Sequence, residues 1–232
     1  MDNPKIIVVE GTPVYEIRAF YRKEGRAKYI SHLDLYRTIQ RSFQRSRLPI
    51  WFTQGFNPHI YLTFALPIAL GYEGVEESFD FRLRENLPEG EILARLNAAF
   101  PEGITVTRAA APQKKAEEIE KAEYTLLFSA ENIPAEKLLA EFDAFLAQDA
   151  ILTEKRTKKG PKQIDLKPDL LSCRTGLSGD AVSLEITLPA GIFKNINPTL
   201  LTDAFAAAQG LSLDYRLIRR DAVLCKDGSR FC

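Results

Sequence analysis

Histidine and cysteine are scarce in this chain of 232 residues: His32 and His59 are its only imidazoles, and Cys173, Cys225 and Cys232 form an odd set with no CxxC pair. That usage argues against a disulfide framework and against a zinc knuckle, and it fits a reducing compartment. Neither GxGxxG nor the Walker pattern occurs, so no nucleotide cradle is indicated and no cofactor is expected. Charge of one sign is not in excess either, with 31 Lys plus Arg against 31 Asp plus Glu, so any electrostatic argument has to be local. The longest apolar-looking stretch, IYLTFALPIALGY (60–72), holds Thr63 and Pro67 and is too short to span a bilayer. The opening MDNPKIIVVEG has an acidic Asp2 and a short apolar run, unlike a secretion signal. A cytoplasmic protein without a membrane partner is the expectation.

What is present is a core-forming composition, 45% apolar and 27% charged, enough for one large domain or two of ordinary size. VYEIRAFYR (14–22) alternates as a half-buried strand does, with Arg18 and Arg22 on its solvent side. Ser31 and Asp34 make an S-x-x-D capping pattern ahead of Leu35, Ile39 and Phe43, which predicts a helix from Ser31 to Leu48, stopped by Pro49. Alternation returns at Ile60–Leu66 and Phe79–Leu83, a helix is expected over 90–99, and a strand over 104–107. Residues 111–123 are polar and charged and read as a linker. The order then restarts, with strands at Tyr124–Ser129 and Val182–Leu188, helices at Ala135–Ala147 and Asn197–Gln209, and a last strand or two within Leu213–Leu224. A second strand and an excursion must fit within 152–178. The expectation is an α+β protein of two tandem ferredoxin-like (βαββαβ) domains with antiparallel sheets, spanning 1–110 and 124–232.

Local charge is concentrated at 16–48, where nine cations face three anions, a balance of +6. Arg37, Arg41 and Arg45 recur every four residues and so form one ridge on the helix. Cations held in line on a rigid element suit a phosphate backbone, and Arg18 and Arg22 on the solvent side of the first strand are further candidate contacts to it. A partner-protein surface, or a solvated face balanced by the acidic run of 73–91, are the competing readings. QGFNPH (54–59) is a shaped loop at a strand entrance, because Gly55, Asn57 and Pro58 each restrict or widen backbone choice. Gln54, Gly55 and Asn57 are its candidate contacts, and the loop is expected beside the arginine ridge as one continuous basic surface. Lys158 and Lys159 mark a basic tip within the excursion 153–169. His32 and His59 could serve acid–base cleavage of RNA, but their spacing is not diagnostic of catalysis or of a metal site, and no joint metal ligation is expected.

The block YISHLDLYRTIQRSFQRSRLPIWFTQGFNPHIYLTFALPIALGYEGVEESFDF (29–81) resembles the radical-SAM-linked protein family, a bacterial domain of unknown function, with a weaker likeness at KQIDLKPDLL (162–171). Members of that family stand alone or are fused behind a cobalamin-binding radical SAM enzyme, often encoded near ribonuclease G and ribosomal proteins. The resemblance implies a free-standing accessory, since no CxxxCxxC is present for an iron–sulfur cluster. Together with the ridge it points to ribosomal or transfer RNA as partner, and to a cobalamin-binding radical SAM protein as a second one. Three readings follow: a non-catalytic RNA-binding accessory, a metal-independent endoribonuclease using His32 or His59, and a protein-only adaptor docking on a radical SAM enzyme through its open sheet face.

Overall fold

The computed structural model describes residues 5–9, 12–157 and 160–232. The chain divides into two compact units, Met1–Glu118 with Phe231–Cys232, and Ile119–Arg230.

In the first unit the alternating segment becomes β2 (Thr12–Lys23), extended at its start by pairing with β1 (Lys5–Val9). Sequence reading passes over β1 because IIVV is apolar at every position and shows no period of two. Helix α1 (His32–Ser46) starts where the capping pattern places it: Ser31 Oγ accepts from the Asp34 amide at 3.2 Å, a bond that contributes about 1 kcal/mol. It ends at Ser46, two residues short of the expected Leu48. Arg47 turns left-handed with φ 55°, and the Leu48 amide donates to Ser46 Oγ. The unit continues through β3 (Leu62–Phe64), β4 (Glu73–Leu83), α2 (Glu89–Ala99) and β5 (Ile104–Ala110). The strands lie in the order β5, β2, β4, β3, each pair antiparallel. Leu35, Ile39 and Phe43 of α1 are fully buried in one core with Phe79 and Phe81 of β4, and the Phe43 and Phe81 rings lie 4.9 Å apart. Burying each such side chain contributes roughly 1.5–3 kcal/mol.

The second unit comprises β6 (Ile119–Ala130), α3 (Ala135–Leu146), β7 (Leu152–Thr157), β8 (Gly160–Asp165), β9 (Ser172–Ser178), β10 (Ala181–Pro189), α4 (Thr199–Gln209) and β11 (Leu213–Cys225). Its main sheet runs β11, β6, β10, β9, again antiparallel throughout. The excursion is the β7–β8 pair, a two-stranded sheet of its own among the described residues. Strand β6 begins at Ile119, so the second part of the expected 111–123 linker is sheet. Ile119, Ala122 and Tyr124 supply the buried positions, while Glu120, Lys121 and Glu123 fill the more exposed ones and give the segment its linker-like composition. The final strand is one element, kinked by irregular register at three points rather than broken in two. Phe142 of α3, fully buried, joins Phe128 and Phe205 at ring separations of 5.3 and 5.0 Å. The architecture is mixed α+β, and among the described residues no helix is long and apolar enough to cross a membrane.

Candidate nucleic-acid interface

The arginine ridge exists on α1, but its members are not equivalent. Arg37 pairs with Asp34 at 3.4 Å and remains more than half exposed, the geometry of a weak surface pair. Arg41 is exposed and has no hydrogen-bond or ion-pair partner among the described residues. Arg45 donates to Ser42 Oγ at 3.0 Å and to the Ala99 carbonyl at 2.7 Å, and so neutralises the C-terminal end of α2. Arg47 is exposed at the left-handed residue that ends α1, and its carbonyl accepts from Arg95 at 2.8 Å. No hydrogen bond or ion pair joins Arg37, Arg41 or Arg45 to the 54–59 loop among the described residues. Along the helix, Arg37 stands about 12 Å back from Arg45.

The loop itself is more firmly built than its glycine and proline imply. Ile50 pairs with Leu83, the Trp51 amide donates to the Arg82 carbonyl at 2.9 Å, and Phe52 pairs with Ile60, so the loop springs from a narrow hairpin root. The Arg82 guanidinium, bonded to Glu16 at 2.7 Å, lies 3.9 Å from the Tyr61 ring centroid and 5.3 Å from that of Trp51. One cation thus clamps both sides of the root. Within the loop the Thr53 amide donates to the His59 carbonyl at 2.8 Å, and the His59 amide donates to Thr53 Oγ1 at 3.0 Å. Gly55 adopts φ 125°, a conformation other residues resist. Gln54, Gly55 and Asn57 are all exposed on it. So, fully, is Phe56, while Phe52 at the root is 46% exposed. Neither aromatic stands out in the sequence, although a Phe between Gly and Asn-Pro occupies the turn position that has no neighbours to bury it.

The remaining candidates separate sharply. Arg18 is 3% exposed and holds the Asp80 carboxylate through Nε at 2.7 Å and Nη2 at 2.8 Å, while Nη1 donates to the Lys114 and Cys232 carbonyls. The Phe231 ring lies 4.2 Å from its guanidinium carbon. Arg18 does stand on the face of β2 away from the helices, but residues near both 114 and 232 cover it, so it is withdrawn from any ligand, and this part of the sheet face is not open. Arg22, four positions on, is half exposed and only 3.9 Å from Glu24 at its nearest. Lys158 and Lys159 lie outside the described residues.

The two histidines do not form a pair. His32 packs its ring edge-on against Phe64 at 4.9 Å, and no hydrogen bond joins it to His59 among the described residues. His59 Nδ1 sits 3.0 Å from Thr53 Oγ1 and 3.2 Å from the Asn57 carbonyl, the position of a loop brace. Among the described residues no three His, Cys, Asp or Glu side chains gather as a metal site. His32 Nδ1 is buried without a hydrogen-bond partner, and burial, with Lys23 nearby, lowers its pKa below the ordinary 6.5. The unfolded chain then binds a proton that the folded chain resists, so stability is full above about pH 6.5 and falls as the pH drops below it. Urea unfolding at about pH 5.5 and about pH 7.5 should show this loss in the native sequence and a smaller one in His32→Phe. Equal losses in both would assign the pH dependence to other groups.

No curated protein matches the sequence significantly. Among solved structures, a chain from the crystal structure of a Cbf5-Nop10-Gar1 complex is similar at 12% identity with a TM-score of 0.40, over 70% of this chain and 40% of that one. This chain thus spans less than half of the solved chain it matches. Residues 16–198, which contain the ridge, the loop and both histidines, match the model of the family described as "Uncharacterized protein conserved in bacteria (DUF2344)", and the chain belongs to that family.

Proposed function

We propose that this protein is a non-catalytic RNA-binding accessory of RNA modification or processing, which presents ribosomal or transfer RNA to a partner enzyme in the cytoplasm. The partner we infer is a cobalamin-binding radical SAM protein, on the strength of the resemblance of residues 29–81 to the family linked with such enzymes. Each unit is read as a ferredoxin-like fold; the βαββαβ order, with the last strand and the third flanking the first, supports this in both units. The observation that carries the RNA reading is the fully exposed Phe56 ring on a braced loop, in the same unit as the basic helix on which Arg41 and Arg45, with Arg47 just past its end, are exposed. An aromatic platform together with a row of cations suits single-stranded nucleic acid: the cations neutralise phosphates, and the ring stacks on a base of any identity.

Anisotropy of a labelled single-stranded RNA and of bulk transfer RNA, titrated over a salt series, tests the proposal. Native protein should bind with an affinity that falls steeply with salt. The combined Arg37→Ala, Arg41→Ala and Arg45→Ala variant should bind more weakly at low salt, with a slope smaller by roughly 0.7 for each phosphate no longer neutralised. Circular dichroism should be retained, since Ala favours helix, with some loss of melting temperature from the missing Arg45 bond to Ala99. An unaltered slope in the folded variant would overturn the ridge assignment, and the absence of salt-dependent RNA binding would leave the protein-only adaptor as the reading to pursue.

A further inference from the structure

The second unit carries an apolar feature that the RNA reading does not use. Between β10 and α4 the chain is pinned at both ends of a short loop: the Ala190 amide donates to the Glu120 carbonyl at 2.9 Å, and the Ile196 amide donates to the Pro189 carbonyl at 3.0 Å, with Ile196 buried. Gly191 passes so close to β6 that a Cβ there would lie 2.5 Å from the Ile119 carbonyl oxygen, and its φ of 144° is closed to most side chains. The following two residues are turned outward. Ile192 is 60% exposed and Phe193 81%, and Leu171 beside them is 52% exposed. Scattered exposed apolar residues are ordinary, but three large ones on one fixed loop and its neighbour are a patch.

Beside the patch lies a groove of about 460 Å³, floored by Ile119, Leu171, Pro189 and Ala190 and walled by Phe193. Its rim is cationic. Lys226 holds its ammonium 5.7 Å from the Phe193 centroid, Lys194 is paired with Asp169, and neither Lys121 nor Lys226 has an ion-pair partner among the described residues. Glu120 is the one acid that lines the groove.

We propose that this groove docks a short peptide segment of a partner protein, one that inserts an apolar side chain and carries acidic residues on either side. Complementarity selects this occupant. An aliphatic floor takes a Leu, Ile or Phe side chain, and the two unpaired ammonium groups at the rim call for carboxylates. A nucleic acid would instead need aromatic faces in series and a run of cations, and only Phe193 supplies a ring here. The pinned loop holds Phe193 in place before binding, which reduces the ordering cost of association.

The test uses the full chain and a synthetic pool of heptapeptides, Asp or Glu at the two positions at each end and Leu, Ile or Phe at two of the three central ones. A pool with Lys and Arg at the ends and a uridine decamer serve as comparisons. In amide-resolved NMR the acidic pool should shift residues 190–195 together with Lys121 and Lys226, and the basic pool and the RNA should not. Phe193→Ser should weaken binding at least tenfold, as loss of a central aromatic anchor does. Lys226→Glu should weaken it and favour the basic pool. Both replaced side chains are exposed, so melting should be unchanged, and a variant that does melt early is replaced by Ile192→Ser, which should reproduce the loss. Equal shifts with the RNA would make the patch a nucleic-acid contact, and concentration-dependent self-association abolished by Phe193→Ser would make it a contact between two copies; either result, or no response to the acidic pool, overturns the proposal.

Discussion

Arg18→Ala should lower the free energy of unfolding by about 3 kcal/mol, the largest effect expected of any arginine on β2 or α1. The side chain is 3% exposed and the Asp80 carboxylate 21%, so screening by water is slight on the arginine side. Removal would strand a carboxylate that now receives two guanidinium bonds, together with the Lys114 and Cys232 carbonyls that each receive one. It would also expose the Phe231 ring that stacks over the cation. Breaking one side of such a pair costs more than the pair contributes, because the remaining charge stays where water reaches it poorly. Arg18→Lys should recover part of the loss, since the charge remains but the two-pronged geometry does not. Paired denaturant titrations of Arg18→Ala, Asp80→Asn and the double variant measure the coupling. RNA affinity per folded molecule should be unchanged, which separates Arg18 from Arg41. A loss below about 1 kcal/mol would mean that the pair behaves as an exposed one.

Arg18 also shows how far the sequence could be read. Alternation assigned it correctly to the face of β2 opposite Ile17 and Ala19, because period two is a local property of the strand. That a tail more than two hundred residues later covers it is not local, and no pattern around Val14–Arg22 carries the information. The same limit explains Arg45. Its place on the ridge follows from helical spacing, while its bond to Ala99 depends on where α2 ends. Elements with contrast between buried and exposed positions, such as α1 and β10, are legible to within a few residues. Strand β1, apolar at every position after Lys5, and the start of β6, dense in charge on its outer positions, have no such contrast and leave no readable pattern. In the loop, residue types announce a shaped turn, but the clamp of Trp51 and Tyr61 on Arg82 needs β4 in place, and so the bracing beneath Phe56 is invisible in the sequence.

Phe56→Ala should weaken binding of single-stranded RNA by about tenfold to a hundredfold, the range seen when a stacking ring is removed. The same change should leave stability within about 0.5 kcal/mol, because the ring is fully exposed and contributes nothing to the core. Its signature differs from that of the arginines. Stacking carries no counterion release, so the affinity drops equally at low and high salt and the slope stays as in the native protein. Phe56→Trp should retain or improve binding, since a larger face stacks at least as well. Gly55→Ala supplies an independent check on the loop: space is open around its Cβ, so nothing collides, and any loss of affinity must come from the φ of 125° that alanine resists. Affinity reduced in Gly55→Ala and in Phe56→Ala, with Phe56→Trp intact, would tie recognition to the braced conformation of residues 53–59. Native affinity in Phe56→Ala, with the salt slope still reduced by the arginine replacements, would leave phosphate binding by α1 as the whole of the RNA interaction and remove the loop from it.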